Sequence, residues 1–111
     1  MGVQKLGNNI YLDEDIIIRT DKDVYEGMGI CMVPPMVKEA NFNDSFVVVR
    51  VLNNQNSIEY WLIDKTQECT MLNEVPADSL HQIYYRFSNV YGPMDLVAFF
   101  KMKNEKRVHI D

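Results

Sequence analysis

Cysteine is scarce in this chain of 111 residues, with Cys31 and Cys69 its two thiols. They are too few and too far apart to form a disulfide framework, a CxxC redox pair or a zinc half-site. Each lies in an apolar run, Ile30 to Val33 and Cys69 to Leu72, so both are expected as core or half-buried strand residues. Histidine is equally sparse. His81 and His109 show no HxH or HxxxH spacing, which leaves too few ligands for a metal, and no orienting group or oxyanion site accompanies a Cys69–His81 pair. Glycine-rich phosphate chemistry is excluded as well, because Gly27-Met28-Gly29 lacks the third glycine and the helix that should follow. Asp21 to Gly27 spaces its acidic residues as a calcium loop does, but Glu26 stands where that loop needs glycine and Met32 where it needs a carboxylate. Catalytic residues, metals and cofactors are therefore all read as none.

Long hydrophobic runs are also missing, and nothing approaches the roughly 20 apolar residues that span a bilayer. The N-terminal residues contain no apolar secretion region, and position 6 is Leu rather than the Ser or Thr of a myristoylation signal. The expected compartment is the cytoplasm, the alternative being a periplasmic or surface domain whose signal has been removed. No membrane partner is expected.

Acidic charge is what the chain has in excess. Sixteen Asp and Glu face eleven Lys and Arg, for a net charge of -5. The excess sits in the first 44 residues, while Lys101, Lys103, Lys106 and Arg107 make the C-terminal end basic. So short a basic cluster displaces few counterions, so nucleic acid is not expected as a partner. Asp13, Glu14, Asp15, Asp21, Asp23 and Glu26 form the densest acidic group. If the polar turn at 20–23 folds the chain back, these residues share neighbouring strand edges, where they would steer a basic protein partner or simply guard the edge against aggregation. Tyr85 is added as an aromatic contact, because Tyr84 belongs to an apolar stripe and Tyr85 points elsewhere.

The clearest structural signal runs from Phe46 to Ile63. Phe46 to Leu52 and Ile58 to Ile63 are β-branched and aromatic, and Asn53-Asn54-Gln55-Asn56 between them is turn chemistry. A loop centred on Asn54-Gln55, with two or four residues looped out, sets Val49 opposite Tyr60 and Arg50 opposite Glu59. Upstream, Ile10 to Leu12 begins a short strand that Asp13-Glu14-Asp15 interrupts and Ile16 to Arg19 resumes, with a polar turn at residues 20–23. Val24 to Val33 reads as another strand, which its two glycines open to a bulge or a close approach and which Pro34-Pro35 ends. Downstream, Cys69 to Leu72 reads as a short strand. Leu80, Ile83, Tyr84, Phe87 and Val90 then recur at helical intervals, which predicts an amphipathic helix over about residues 77–90, closed by Gly92-Pro93. Residues 94–103 are ambiguous between strand and helix, and the apolar run at 96–100 favours strand.

These elements amount to one α+β domain over residues 1–111, an antiparallel β-meander of about six to eight strands with one helix packed on a face. The function expected of it is that of a small acidic, non-catalytic protein-binding module, of the kind bacterial or phage immunity proteins and inhibitors represent. The alternative is a structural or accessory domain of a larger envelope or virion protein, with a small enzyme using carboxylates near Asp13 to Asp23 as a third reading. Neither the oligomeric state nor the partner's identity follows from the residues.

Overall fold

A computed structural model describes residues 2–22, 24–76 and 83–110. Three antiparallel hairpin systems account for ten strands among them, and the class is α+β. The first sheet is a simple meander of β1 (Val3–Gly7), β2 (Ile10–Asp13), β3 (Ile16–Arg19) and β4 (Ile30–Cys31). The β1–β2 turn uses Asn8 and Asn9, which tolerate the left-handed region, at φ 53° and 63°, and Glu14 adopts φ 56° in the β2–β3 turn. Gly29 sits against β3, where a Cβ would collide with the Ile18 side chain and lie 2.6 Å from the Arg19 carbonyl oxygen. The close approach anticipated for this glycine pair therefore falls on Gly29.

The second sheet has the order β10-β7-β6-β5, from β5 (Val37–Phe42), β6 (Phe46–Leu52), β7 (Ile58–Asp64) and β10 (Val90–Met94). The hairpin of β6 and β7 forms as expected, but its register is one residue away from the expected one. Val49 faces Trp61 and Arg50 faces Tyr60, not Tyr60 and Glu59. The cause is the loop. Asn53 N–H donates to the Ser57 carbonyl at 2.8 Å and Asn56 N–H to the Asn53 carbonyl at 3.1 Å, with Asn56 left-handed at φ 61°, so an odd number of residues is looped out. Arg50 finds its carboxylate on the other neighbour instead, Glu39 of β5 at 3.2 Å.

This register places Val47, Val49, Val51, Trp61 and Ile63 on one face, packed with Leu6, Ile10 and Ile17 of the first sheet. The opposite face carries Phe46, Val48, Tyr60 and Leu62. Both faces are apolar because both are covered. Lys65 helps hold the two sheets together: its Nζ donates to the Leu6 carbonyl at 2.6 Å, and its own carbonyl accepts from Asn8 Nδ2 at 3.0 Å.

The outer face is covered by α1 (Leu96–Lys106). The helix therefore lies in the run where strand was favoured, and Gly92-Pro93 precedes it rather than closing one. Asp95 is its N-cap, accepting from Ala98 N–H at 2.8 Å, and Arg107 ends it in the left-handed conformation. Phe99 stacks on Tyr60 with ring centroids 4.7 Å apart, and Val108 beyond the helix packs into the same cluster.

The helix predicted over 77–90 is not there from residue 83 onward. β9 (Ile83–Phe87) pairs with β8 (Met71–Pro76) as a two-stranded ribbon, and residues 77–82 lie outside the described ones. The β-branched and aromatic content of Ile83 to Phe87 outweighs the three-and-four spacing. Ser88-Asn89 is a turn, and Asn89 is 2% exposed, its Nδ2 donating to the Asp64 carbonyl at 3.0 Å. The expected short strand likewise begins at Met71, leaving Cys69 half-buried in the preceding loop. No helix among the described residues is long and apolar enough to cross a membrane.

Candidate functional site

Proline cannot donate to a ladder, so it collects where strands end. All four prolines of the chain, Pro34, Pro35, Pro76 and Pro93, line one groove. The groove runs between the tip of the β6–β7 hairpin and the end of the β8–β9 ribbon and has a volume of about 770 Å³. That lies within the range of about 300–1,000 Å³ typical of ligand pockets. Strand ends and loops held by two packed sheets are also the usual place for binding residues.

Trp61 and Tyr84 form the buried part of its wall. Their rings meet edge to face at 5.9 Å, and the Arg86 guanidinium lies 6.0 Å from the Trp61 ring while donating to the Gly92 carbonyl at 3.2 Å. Gly92 is required here, because at φ 147° a Cβ would stand 2.6 Å from the indole. Trp61 is 1% exposed, yet its Nε1–H has no acceptor among the described residues. A buried indole N–H ordinarily finds one.

One edge of the groove is the hairpin loop, and Asn53 organises it. Its side-chain oxygen accepts from the N–H groups of Gln55 and Ser57, both at 2.9 Å, and its Nδ2 donates to Glu59 Oε2 at 3.3 Å. Glu59 is half-buried and is the one charged residue among the described ones that line the groove. The other carboxylate oxygen of Glu59 has no partner among them. Met36, left-handed at φ 76° and 42% exposed, forms another edge, and its carbonyl accepts from Leu52 N–H at 3.0 Å.

The structure divides the acidic group read from the sequence. Asp15 lies beside the groove, since its carbonyl accepts from Val37 N–H, next to Met36, at 2.9 Å. Glu14 shares that turn, and both side chains are exposed. Asp13 is engaged locally: it accepts from the Tyr25 hydroxyl at 2.7 Å, and burial together with this bond pushes the phenol up to about 12. Asp21 and Glu26, past the other end of β3, pair with Arg19 at 3.5 Å and Lys22 at 2.8 Å. Asp23 lies outside the described residues. Tyr85 belongs to the ribbon, and its hydroxyl donates to Glu74 across that ribbon at 3.1 Å, a bond that raises its pKa. It does not line the groove.

Cys31 and Cys69 are unbridged and half-buried, and burial raises both thiols. His109 is exposed, and His81 lies outside the described residues. No three His, Cys, Asp or Glu side chains among the described residues gather as a metal site would require. A second, smaller cleft of about 240 Å³ lies between α1 and the second sheet, bordered by the Glu39–Arg50 pair and Phe100.

No family model matches this chain, and no curated protein or solved structure matches it.

Glu59 and Trp61 read from the sequence as members of one hairpin strand and Met36 as a residue after the Pro34-Pro35 break, so nothing in the residues marks the three as neighbours. A signal was available in the prolines. Pro34-Pro35 reads as a strand end and Pro93 as a helix end, and in a two-sheet fold such breaks at one rim converge on a common surface.

Proposed function

We propose that the protein is a non-catalytic binding module that occludes part of a partner protein, as immunity proteins and inhibitors do, and that the partner enters the groove beside Trp61. The observation that carries this reading is the groove itself, a large concavity between two strand ends whose floor is preorganised by Trp61, Tyr84, Arg86 and Gly92. Preorganised walls limit the entropy lost on association. The exposed Glu14 and Asp15 beside the groove would supply steering of a basic partner, and the rest of the acidic group, Asp13, Asp21, Asp23 and Glu26, would add to the field. Tyr85 is left as a peripheral contact on the ribbon.

The reading as a structural or accessory domain has one observation in its favour, the exposed apolar face of α1. Leu96, Val97 and Phe100 are 47%, 79% and 52% exposed, as a face packed against another domain would be. A photo-crosslinking experiment separates the two. With benzoylphenylalanine placed at Met36 or at Val97, a partner that occupies the groove is crosslinked from position 36 and spared from position 97. Crosslinking from Val97 alone would assign the binding surface to α1 and contradict the groove reading.

A further inference from the structure

We infer that the groove takes an extended peptide segment bearing one Lys or Arg, whose cationic group pairs with Glu59. The inference rests on the groove reading and adds the chemistry of the occupant. Glu59 is the sole charge on the described lining, and the hydrogen bond from Asn53 holds one of its oxygens while the second has no described partner. A half-buried carboxylate so placed gains most from a guanidinium or ammonium that brings donors with it. The amide side chains of Asn53 to Asn56 on one edge and the prolines on the others, with Glu59 as the one charge, suit a peptide main chain with a basic side chain. Glu14 and Asp15 at the edge, and a net charge of -5, favour the same sign of ligand.

The test uses random heptapeptides displayed on phage and selected on the intact protein. Selected peptides are expected to share one Lys or Arg flanked by apolar residues. A synthetic peptide of the selected sequence should lose about tenfold in affinity for Glu59→Gln and remain unchanged for Glu105→Gln on α1. Glu59→Arg should select peptides carrying Asp or Glu at the corresponding position, a reversal that a merely unfolded variant cannot produce. In a ¹H–¹⁵N spectrum the backbone signals of Asn53 to Asn56 and Glu59 should shift as the peptide is added. Selected peptides that perturb the groove but lack a basic residue, or that ignore Glu59→Gln, would overturn the inference and leave the groove reading standing. Peptides that shift only α1 resonances, or the absence of any selected peptide, would overturn both.

Discussion

Lys106 on α1 reaches Asp64 at the end of β7, with Nζ 3.2 Å from Oδ2, and so fastens the helix to the sheet it covers. The Lys106 ammonium also lies 4.6 Å from the centre of the Tyr91 ring. Asp64 is nearly buried, and burial alone would raise its pKa. Two hydrogen bonds from Thr66, at 2.5 and 3.0 Å, and the Lys106 ammonium outweigh that and hold it below the ordinary carboxylate value. The pair thus favours the charged form of Asp64 in the folded state.

A pH dependence follows from that depression. The stabilisation is fully present above the unfolded carboxylate pKa of about 3.9 and is lost as pH falls through the lower, folded value. Acid titration of stability should therefore flatten for Asp64→Asn relative to wild type below about pH 4. Lys106→Met is the harsher change, because it leaves a buried carboxylate without its cation. It should cost about 2–4 kcal/mol in urea unfolding at neutral pH.

Asp95 caps a helix that is held mainly by Phe99 and the segment after it. Asp95→Ala should cost about 1 kcal/mol and lower the far-ultraviolet helix signal, with the β-sheet signal kept. The same substitution would cost almost nothing if residues 96–100 were strand, so circular dichroism of this variant checks the assignment directly.

Hairpin existence was legible in the residues, and hairpin register was not. Turn residues between β-branched runs marked β6 and β7 correctly, whereas Asp13 to Asp15, which reads as an interruption of one strand, is the turn between β2 and β3. The β6–β7 register was lost because both faces are apolar, so hydrophobic patterning could not penalise a one-residue slip. Arg50 and Glu59 suggested a local charge pair, whereas the carboxylate that Arg50 uses belongs to β5, on the strand's other side. The helix was misplaced for a related reason. Tyr84 and Phe87 are both buried although they are three residues apart, and that spacing imitates a helical stripe. The groove was invisible because its walls come from five separated stretches of the chain that only the packing of the sheets brings together.

The loop geometry predicts opposite responses at one position. Asn56 is left-handed, so Asn56→Gly should leave stability within about 0.5 kcal/mol, while Asn56→Val should cost about 1–2 kcal/mol. Equal tolerance of both would mean that the loop has the even length read from the sequence. Thermal unfolding of the two variants decides between the loop lengths.

Gly92 predicts a coupled loss of stability and of the groove. A methyl group at this position meets the indole of Trp61 and strains a positive φ, so Gly92→Ala should destabilise by about 2 kcal/mol or more. Because Trp61 is the chain's one tryptophan, its emission should move to longer wavelength as the indole loses its packing. An unchanged emission spectrum would show that Gly92 does not support the groove wall.

Hydrogen exchange on the protein alone and bound to its captured partner measures the central claim most directly. Occupation of the groove should slow exchange at Met36, at Leu52 to Asn56 and at Val75, and leave the exposed face of α1 unchanged. Protection confined to Leu96 through Phe100, with no change along the groove, would contradict the account.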